Sequence, residues 1–131
     1  LNITYFDALT QKEEPMNIKI KKFINVHSIL LTFRGIPAIY IHSFLDPRNY
    51  IEWVKMTGEK RTINREKLSL EELEISINNE GTMRHRVYEK LTEILSIRKE
   101  KSALHPNADQ KLLDIDERVF AILRENKETN D

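Results

Sequence analysis

The sequence predicts an α/β fold, with the order of elements seen in an α/β barrel or a doubly wound sheet, followed by a small β domain. Residues 16–33 have apolar positions at helical spacing and lead into a short apolar run at residues 38–43, and two further helices follow a long connection. From about residue 104 the pattern changes to short strand-like runs. The length of 131 residues is typical of a single domain.

The composition excludes several classes of function. Lys and Arg number 21 and Asp and Glu number 21, so the formal net charge is zero and neither a nucleic acid nor an anionic membrane would attract the chain at long range. No cysteine is present, which excludes a disulfide scaffold, a thiolate metal site and a cysteine nucleophile. No apolar run approaches the roughly 18 residues of a membrane helix. We expect neither nucleic acid nor membrane as a partner.

The first strong element is a helix over residues 16–33. Pro15 is a start signal, Gly35 is a natural C-cap and Pro37 prevents continuation, whereas residues 1–15 are predicted to be irregular. The apolar positions of the helix are Met16, Ile20, Phe23, Ile24, His27, Leu30 and Leu31.

Residues 38–43, with the sequence Ala-Ile-Tyr-Ile-His-Ser, predict a strand that is covered on both faces, as in a parallel sheet. A buried helix segment is the alternative, but Pro37 and Pro47 bound the run tightly. Residues 44–68 then form a long polar connection with a possible short helix at residues 51–56, and connections of this length are usually functional or disordered.

Helix signals return after the connection. Ser69 and Glu72 form a capping box that predicts a helix to about Ile77, and Thr82 is expected to cap a second, longer helix. Residues 111–115 and 118–123 are strand-like runs on either side of Asp116 and Glu117, and predict a hairpin.

Few side chains are candidates for chemistry. His42 ends the predicted strand, where active sites of α/β proteins collect. The basic loop that follows contains Arg48-Asn49 and Arg61, which suit the binding of hydroxyl or anionic oxygens, although a solvated loop is the alternative. The histidines lack metal-site spacing, and we expect His27 to be a core histidine, His85 a solvated one and His105 a turn residue. No metal ligands are predicted. Two aspartates, Asp7 and Asp46, stand in unusual contexts.

Six segments, which follow one another along the chain in the family's order, resemble a known family. Residues 34–43 resemble the segment leading into the eighth barrel strand of the α-amylase superfamily. The pair Arg48-Asn49 and the motif G-x-x-R-x-I-N-R within residues 57–68 resemble the sucrose phosphorylase subfamily. Residues 1–9 resemble its stretch before the seventh barrel helix, and the segments 105–107 and 119–124 resemble the entry into its C-terminal β domain.

The resemblance implies the C-terminal part of a (β/α)₈ barrel: the last helix, strand eight, a long loop and the final helices over residues 1–103, then the truncated start of a β domain over 104–131. A barrel needs about 250 residues. The family's nucleophilic Asp, general-acid Glu and stabilising Asp are therefore expected upstream of Leu1, so this chain has no catalytic residue of its own. No cofactor and no metal is implied.

The function implied by the resemblance is that of a retaining glycoside phosphorylase, which transfers glucose from sucrose or a related α-glucoside to inorganic phosphate. Arg61 corresponds to the family's arginine that holds the glucosyl hydroxyls, and Arg48 and Asn49 would shape the pocket rim. His42 suits the branch that includes sucrose-phosphate, glucosylglycerol and glucosylglycerate phosphorylases. The alternatives are a hydrolase or transglucosylase of the superfamily, or a non-catalytic helical interaction module. We expect a cytoplasmic protein of undetermined oligomeric state.

Overall fold

A computed structural model describes residues 2–45 and 47–129 of the chain. The α-helices are α1 (Tyr5–Leu9), α2 (Met16–Thr32), α3 (Ile41–Leu45), α4 (Ile51–Thr57), α5 (Leu70–Ile77) and α6 (Met83–Glu100). Two 3₁₀ helices lie at Lys60–Asn64 and Ser102–Leu104, and β1 (Asp109–Asp116) pairs antiparallel with β2 (Val119–Glu125). Over the described ranges, no helix is both long enough and apolar enough to cross a membrane.

The chain divides into two compact units. The first unit comprises residues 1–26 and 39–91, and the second comprises residues 27–38 and 92–131. The first unit contains residues 39–91 and therefore every predicted binding residue, namely His42, Arg48, Asn49 and Arg61.

The predicted helix starts are confirmed at two positions. The Ser69 hydroxyl accepts a hydrogen bond from the Glu72 N–H at 3.2 Å and donates to the Glu72 carboxylate at 2.9 Å, at the start of α5. The Thr82 hydroxyl accepts from the His85 N–H at 3.0 Å at the start of α6. Both caps satisfy N–H groups that have no partner inside their own helix.

The core of the first unit joins three helices. Phe6 of α1, Ile20 and Phe23 of α2, and Val87 and Leu91 of α6 are buried together. The rings of Phe6 and Phe23 have centroids 5.3 Å apart. Helix α1 lies within residues 1–15, which were predicted to be irregular, so that prediction was wrong. The helix is stabilised by burial of Phe6, and its five residues are too few to show a helical repeat of apolar positions.

The prediction of a strand over residues 38–43 was also wrong. Residues 36–40 lie outside any helix or strand, and Ile41–Leu45 form the short helix α3. A strand is stable only when its N–H and C=O groups pair with another strand. The one sheet in the described part of the chain is the β1–β2 ribbon, so residues 38–43 have no partner. The Phe44 N–H instead donates locally to the Tyr40 carbonyl, at 3.3 Å.

The second unit is held by arginine side chains that donate to backbone carbonyls. The Arg98 guanidinium donates to the Leu31 carbonyl and, at 2.8 Å, to the Gly35 carbonyl. Arg124 donates to the Thr32 carbonyl at 2.7 Å. These bonds satisfy carbonyl groups at and beyond the C-terminus of α2, and Gly35 permits the turn there because its φ is +106°.

The predicted hairpin is confirmed, and its turn is closed by a single carboxylate. The Asp116 carboxylate accepts from the Arg118 N–H at 3.0 Å and from its guanidinium at 2.8 and 3.0 Å. The hydrogen bonds from the Arg118 side chain, followed by the one from its backbone, lower the pKa of Asp116 below the ordinary value of 3.8.

We expect the turn to weaken in acid. Because the folded pKa of Asp116 is depressed, its contribution to stability is present above the ordinary pKa and is lost as the pH falls through the folded value. In the Arg118→Ala variant the pKa of Asp116 should rise towards 3.8, and an NMR titration of the carboxyl group measures it. The control is Lys111→Ala, which removes a different exposed ion pair and should leave the pKa of Asp116 unchanged. Equal Asp116 pKa values in the parent chain and Arg118→Ala would contradict this assignment.

Candidate functional site

The loop after α3 is tied to α1 by a network that we call the Asp7 network, formed by Thr4, Asp7, Arg48 and Asn49. The Arg48 Nε lies 3.1 Å from one Asp7 oxygen, and the Asn49 N–H donates to the other at 2.8 Å. The Asn49 side-chain oxygen accepts from the Thr4 N–H at 2.7 Å. Both carboxylate oxygens of Asp7 are thus engaged by a loop more than forty residues away in the sequence.

The Asp7 network gives Arg48 and Asn49 a clear structural role. The Arg48 guanidinium carbon also lies 6.0 Å from the centroid of the Phe6 ring, which belongs to the core of the first unit. These contacts hold the start of the loop in place. Contact of Arg48 or Asn49 with a ligand, as expected for a pocket rim, stays a prediction. Asp46 lies outside the described residues.

We expect Asp7→Ala to destabilise the protein by about 1–3 kcal/mol, because the Asn49 N–H loses its acceptor and Arg48 loses a charged partner. The ion pair adds little to this loss since the Arg48 side chain is about half exposed. Urea denaturation measures the change. Glu13→Ala, at an exposed position without a described partner, is the matched control, and an equal shift in both variants would contradict the role of Asp7.

The segment that contains the R-x-I-N-R motif is anchored by two hydrogen bonds to its carbonyl groups. The Tyr40 hydroxyl donates to the Asn64 carbonyl at 3.1 Å, and the Tyr50 N–H donates to the Ile63 carbonyl at 2.7 Å. The motif therefore starts in the 3₁₀ helix Lys60–Asn64 and continues in a loop fixed at its end.

A third anchor involves His42, in the first turn of α3. Its Nε2 lies 2.7 Å from the Glu66 carbonyl oxygen, and its ring stacks on Tyr40 with centroids 5.2 Å apart and planes at 21°. The Nδ1 of His42 is buried and has no hydrogen-bond partner in the described part of the chain.

His42 lines a small cavity of about 180 Å³ within the first unit. The lining residues are Ile3, Thr4, Tyr5, Tyr40, His42, Ser43, Pro47 and Asn64. Hydroxyl, amide and imidazole groups are therefore present, but none of these described lining residues carries a carboxylate, an ammonium or a guanidinium. The cavity can form hydrogen bonds with a ligand, and it offers no pair of acid and base for bond cleavage.

Arg61 stands apart from this cavity. It lies in the 3₁₀ helix Lys60–Asn64 and is exposed, and its side chain makes no hydrogen bond or ion pair with any residue that the structure describes. The structure therefore brings His42 and Asn64 into one cavity and leaves Arg61 outside its lining. Within the described ranges, no group of three or more His, Asp or Glu side chains is placed to hold a metal ion.

Sequence reasoning missed Tyr40, Thr4 and Ser43 as site residues. The available signal was that Tyr40 and His42, two rings with polar tips, stand two positions apart in an otherwise aliphatic run. Of the other histidines, His27 is buried as expected, whereas His85 is half-buried with its Nδ1 2.6 Å from the Ile77 carbonyl. The prediction of a solvated His85 was wrong because its ring forms a hydrogen bond with the carbonyl of Ile77, the last residue of α5.

Comparison with known proteins identifies relatives along the whole chain, although no family model matches it. Glucosylglycerate phosphorylase of Escherichia coli K12 is 38% identical over 130 residues, which are 99% of this chain and 23% of that protein. The chain is homologous to this glucosylglycerate phosphorylase along its own length. Glucosylglycerate phosphorylase of Spirochaeta thermophila is 34% identical over 131 residues, which are 100% of this chain and 22% of that relative.

A solved structure supports the same relationship. The crystal structure of sucrose 6F-phosphate phosphorylase from Thermoanaerobacter thermosaccharolyticum superposes with a TM-score of 0.75 at 26% identity, over 97% of this chain and 23% of that one. The resemblance to the sucrose phosphorylase subfamily is confirmed. The chain thus spans less than a quarter of the length of these phosphorylase relatives.

Proposed function

We propose that this chain is the C-terminal part of a retaining glycoside phosphorylase, which we call the full-length protein, and that the full-length protein transfers glucose from an α-glucoside to inorganic phosphate. The observation that carries the proposal is the 38% identity to a glucosylglycerate phosphorylase over 99% of the chain. The structure of a sucrose 6F-phosphate phosphorylase also superposes on 97% of the chain. The two relatives are named for different substrates, and what their names share is phosphorolysis.

The proposed architecture places residues 1–103 at the end of a (β/α)₈ barrel and residues 104–131 at the start of a β domain. Large apolar side chains that stand exposed support it, because neighbouring barrel elements would cover them. The exposed apolar residues include Ile36, Tyr40, Ile41, Ile51, Met56, Leu70 and Ile75.

In the proposed reaction a carboxylate nucleophile bonds to the glucosyl anomeric carbon as the bond to the leaving-group oxygen breaks, and that oxygen departs with a proton from a general acid. A phosphate oxygen then displaces the carboxylate from the same carbon, returns a proton to the general acid and yields glucose 1-phosphate. Retention requires a nucleophile and an acid about 5 Å apart. We place both outside this chain, so residues 1–131 alone are expected to be inactive.

The residues of this chain are proposed to hold the sugar. Arg61 would donate hydrogen bonds to the glucosyl hydroxyls, since its guanidinium is exposed and uncommitted among the described residues. His42 would contact the substrate through the cavity that it lines. Arg48 and Asn49 would shape the rim by keeping the loop on α1. We propose no cofactor and no metal, and a cytoplasmic location.

For the substrate we propose glucosylglycerate ahead of sucrose 6F-phosphate and sucrose. The support is that the glucosylglycerate phosphorylases match at 34–38% identity, against 26% for the sucrose 6F-phosphate enzyme. Glucosylglycerol is a further candidate of the same chemical class.

The test is an assay of products. The full-length protein is incubated with each of the four glucosides in saturating phosphate, and glucose 1-phosphate and free glucose are measured. We expect glucose 1-phosphate that increases with phosphate concentration, with the largest yield from glucosylglycerate. Free glucose alone, at a rate independent of phosphate, would indicate a hydrolase, and a folded protein without turnover of any α-glucoside would indicate an interaction module.

A further inference from the structure

We propose that Tyr40 is a positioning residue for Arg61: its hydroxyl group fixes the 3₁₀ helix that carries Arg61, and thereby fixes where the guanidinium meets the sugar. The proposal rests on the proposed function, since it takes Arg61 to bind the glucosyl hydroxyls. It assigns Tyr40 a role that is exerted through the backbone of the R-x-I-N-R motif and not through a contact with the sugar.

The Arg61 side chain depends on its backbone for its position. It is exposed and forms no hydrogen bond or ion pair with a described residue, so no described neighbour holds the guanidinium. An arginine side chain has many rotamers, and a binding group is effective only when it is held within about 0.5 Å of the productive geometry. The contacts that hold the backbone of Arg61 therefore determine how well its guanidinium can meet a ligand.

The 3₁₀ helix Lys60–Asn64 is short and needs support from outside. It has five residues, and 3₁₀ geometry gives poorer hydrogen bonds than an α-helix. Its first turn is held from within the segment, because the N–H and the hydroxyl of Thr62 donate to the Glu59 carbonyl at 3.1 and 2.6 Å. Its C-terminal end is also held from outside the segment, through the carbonyl groups of Ile63 and Asn64.

The bond at the last residue of this helix comes from a side chain. The Tyr40 hydroxyl donates to the Asn64 carbonyl at 3.1 Å. The Tyr40 ring is itself held, because the His42 ring stacks on it with centroids 5.2 Å apart and planes at 21°. The His42 Nε2 in turn lies 2.7 Å from the Glu66 carbonyl oxygen. Two side chains two positions apart thus contact two carbonyls two positions apart, and the motif segment is fixed at both.

Tyr88 offers a matched comparison in the same unit of the fold. Its ring contacts that of Phe44 edge to face, with centroids 5.2 Å apart. Its hydroxyl forms no hydrogen bond with a described residue. Removal of the hydroxyl group from Tyr40 therefore breaks an anchor of the motif, whereas the same chemical change at Tyr88 breaks none.

The test is a double-mutant cycle of Tyr40→Phe and Arg61→Ala in the full-length protein. Tyr40→Phe should lower kcat/KM for glucosylglycerate about three- to tenfold, because one uncharged hydrogen bond is lost. In the Arg61→Ala background the same change should lower kcat/KM by less than about twofold, because no guanidinium is left to misplace. A merely structural role of Tyr40 would give equal factors in the two backgrounds. The control, Tyr88→Phe, should leave kcat/KM within about twofold of the parent.

Two measurements report on the anchor without turnover. The dissociation constant of glucose, measured by calorimetry, should follow the same pattern across the cycle as kcat/KM. Hydrogen–deuterium exchange at the amides of residues 60–65 should be faster in Tyr40→Phe than in the parent protein and unchanged in Tyr88→Phe. Equal losses in the two backgrounds, a kcat/KM of Tyr40→Phe within twofold of the parent, or unchanged exchange at residues 60–65 would overturn the proposal.

The two failures are distinguishable. If the affinity for glucose shows the coupling between Tyr40 and Arg61 but no α-glucoside yields glucose 1-phosphate, the role of Tyr40 holds and the proposed function fails. If glucose 1-phosphate forms and Arg61→Ala lowers kcat/KM, while Tyr40→Phe has the same effect in both backgrounds, the proposed function holds and the role of Tyr40 fails.

Discussion

Replacing Arg61 with alanine in the full-length protein is expected to lower kcat/KM about ten- to a hundredfold, because one charged hydrogen-bond donor to the sugar, worth roughly 1.5–3 kcal/mol, is lost. The thermal unfolding temperature should not change. Arg61 is exposed and its side chain makes no hydrogen bond or ion pair with a described residue, so the substitution deprives no other described side chain of a partner. Steady-state kinetics with glucosylglycerate and phosphate measure the effect.

Two further variants sharpen the Arg61 test. Lys60→Ala removes a neighbouring positive charge from the same 3₁₀ helix and should leave kcat/KM within about twofold, since exposed charges contribute little. Arg61→Lys keeps the charge but not the planar fork of donors, so its kcat/KM should lie between those of Arg61 and Arg61→Ala. Equal kinetics for Arg61→Ala and Lys60→Ala would remove Arg61 from the sugar site.

Truncation of Phe23 is expected to have the largest effect on stability. Phe23 is fully buried, and its ring lies 5.3 Å from that of Phe6 and 6.3 Å from that of Tyr5, centroid to centroid. Phe23→Ala should therefore lower the free energy of unfolding by about 3–5 kcal/mol, through lost burial and the cavity left behind. Urea denaturation of the full-length protein measures the change.

The matched control for Phe23 is Phe120→Ala, which makes the same chemical change at a side chain that is 64% exposed. Phe120 contacts the Phe33 ring at 6.0 Å between centroids, so a loss of at most about 1.5 kcal/mol is expected. A loss in Phe23→Ala no larger than that in Phe120→Ala would contradict the core as described.

Elements with local signals could be predicted from the sequence, and elements that depend on distant partners could not. The caps at Ser69 and Thr82 and the turn at Asp116 act within three residues, so their patterns are visible in the chain itself. The strand predicted over 38–43 requires a neighbouring strand, and none lies beside it in the described part of the chain. Helix α1 depends on the burial of Phe6 against α2 and α6.

The same distinction holds for the site. His42 could be nominated from its place at the end of an apolar run, but the hydrogen bond between its ring and the Glu66 carbonyl joins residues 24 positions apart. Likewise, the attachment of Asn49 to Asp7 joins residues 42 positions apart and leaves no local pattern. The sequence therefore nominated residues of this loop as candidates but could not assign the partners of their side chains.

The configuration of the product tests the central claim most directly. The claim is that the full-length protein is a phosphorylase that retains the configuration at the anomeric carbon through two successive displacements. Proton NMR of the first product formed from an α-glucoside in phosphate distinguishes the anomers by the coupling of the anomeric proton. The account predicts α-glucose 1-phosphate, and either β-glucose 1-phosphate or free glucose as the first product would contradict it.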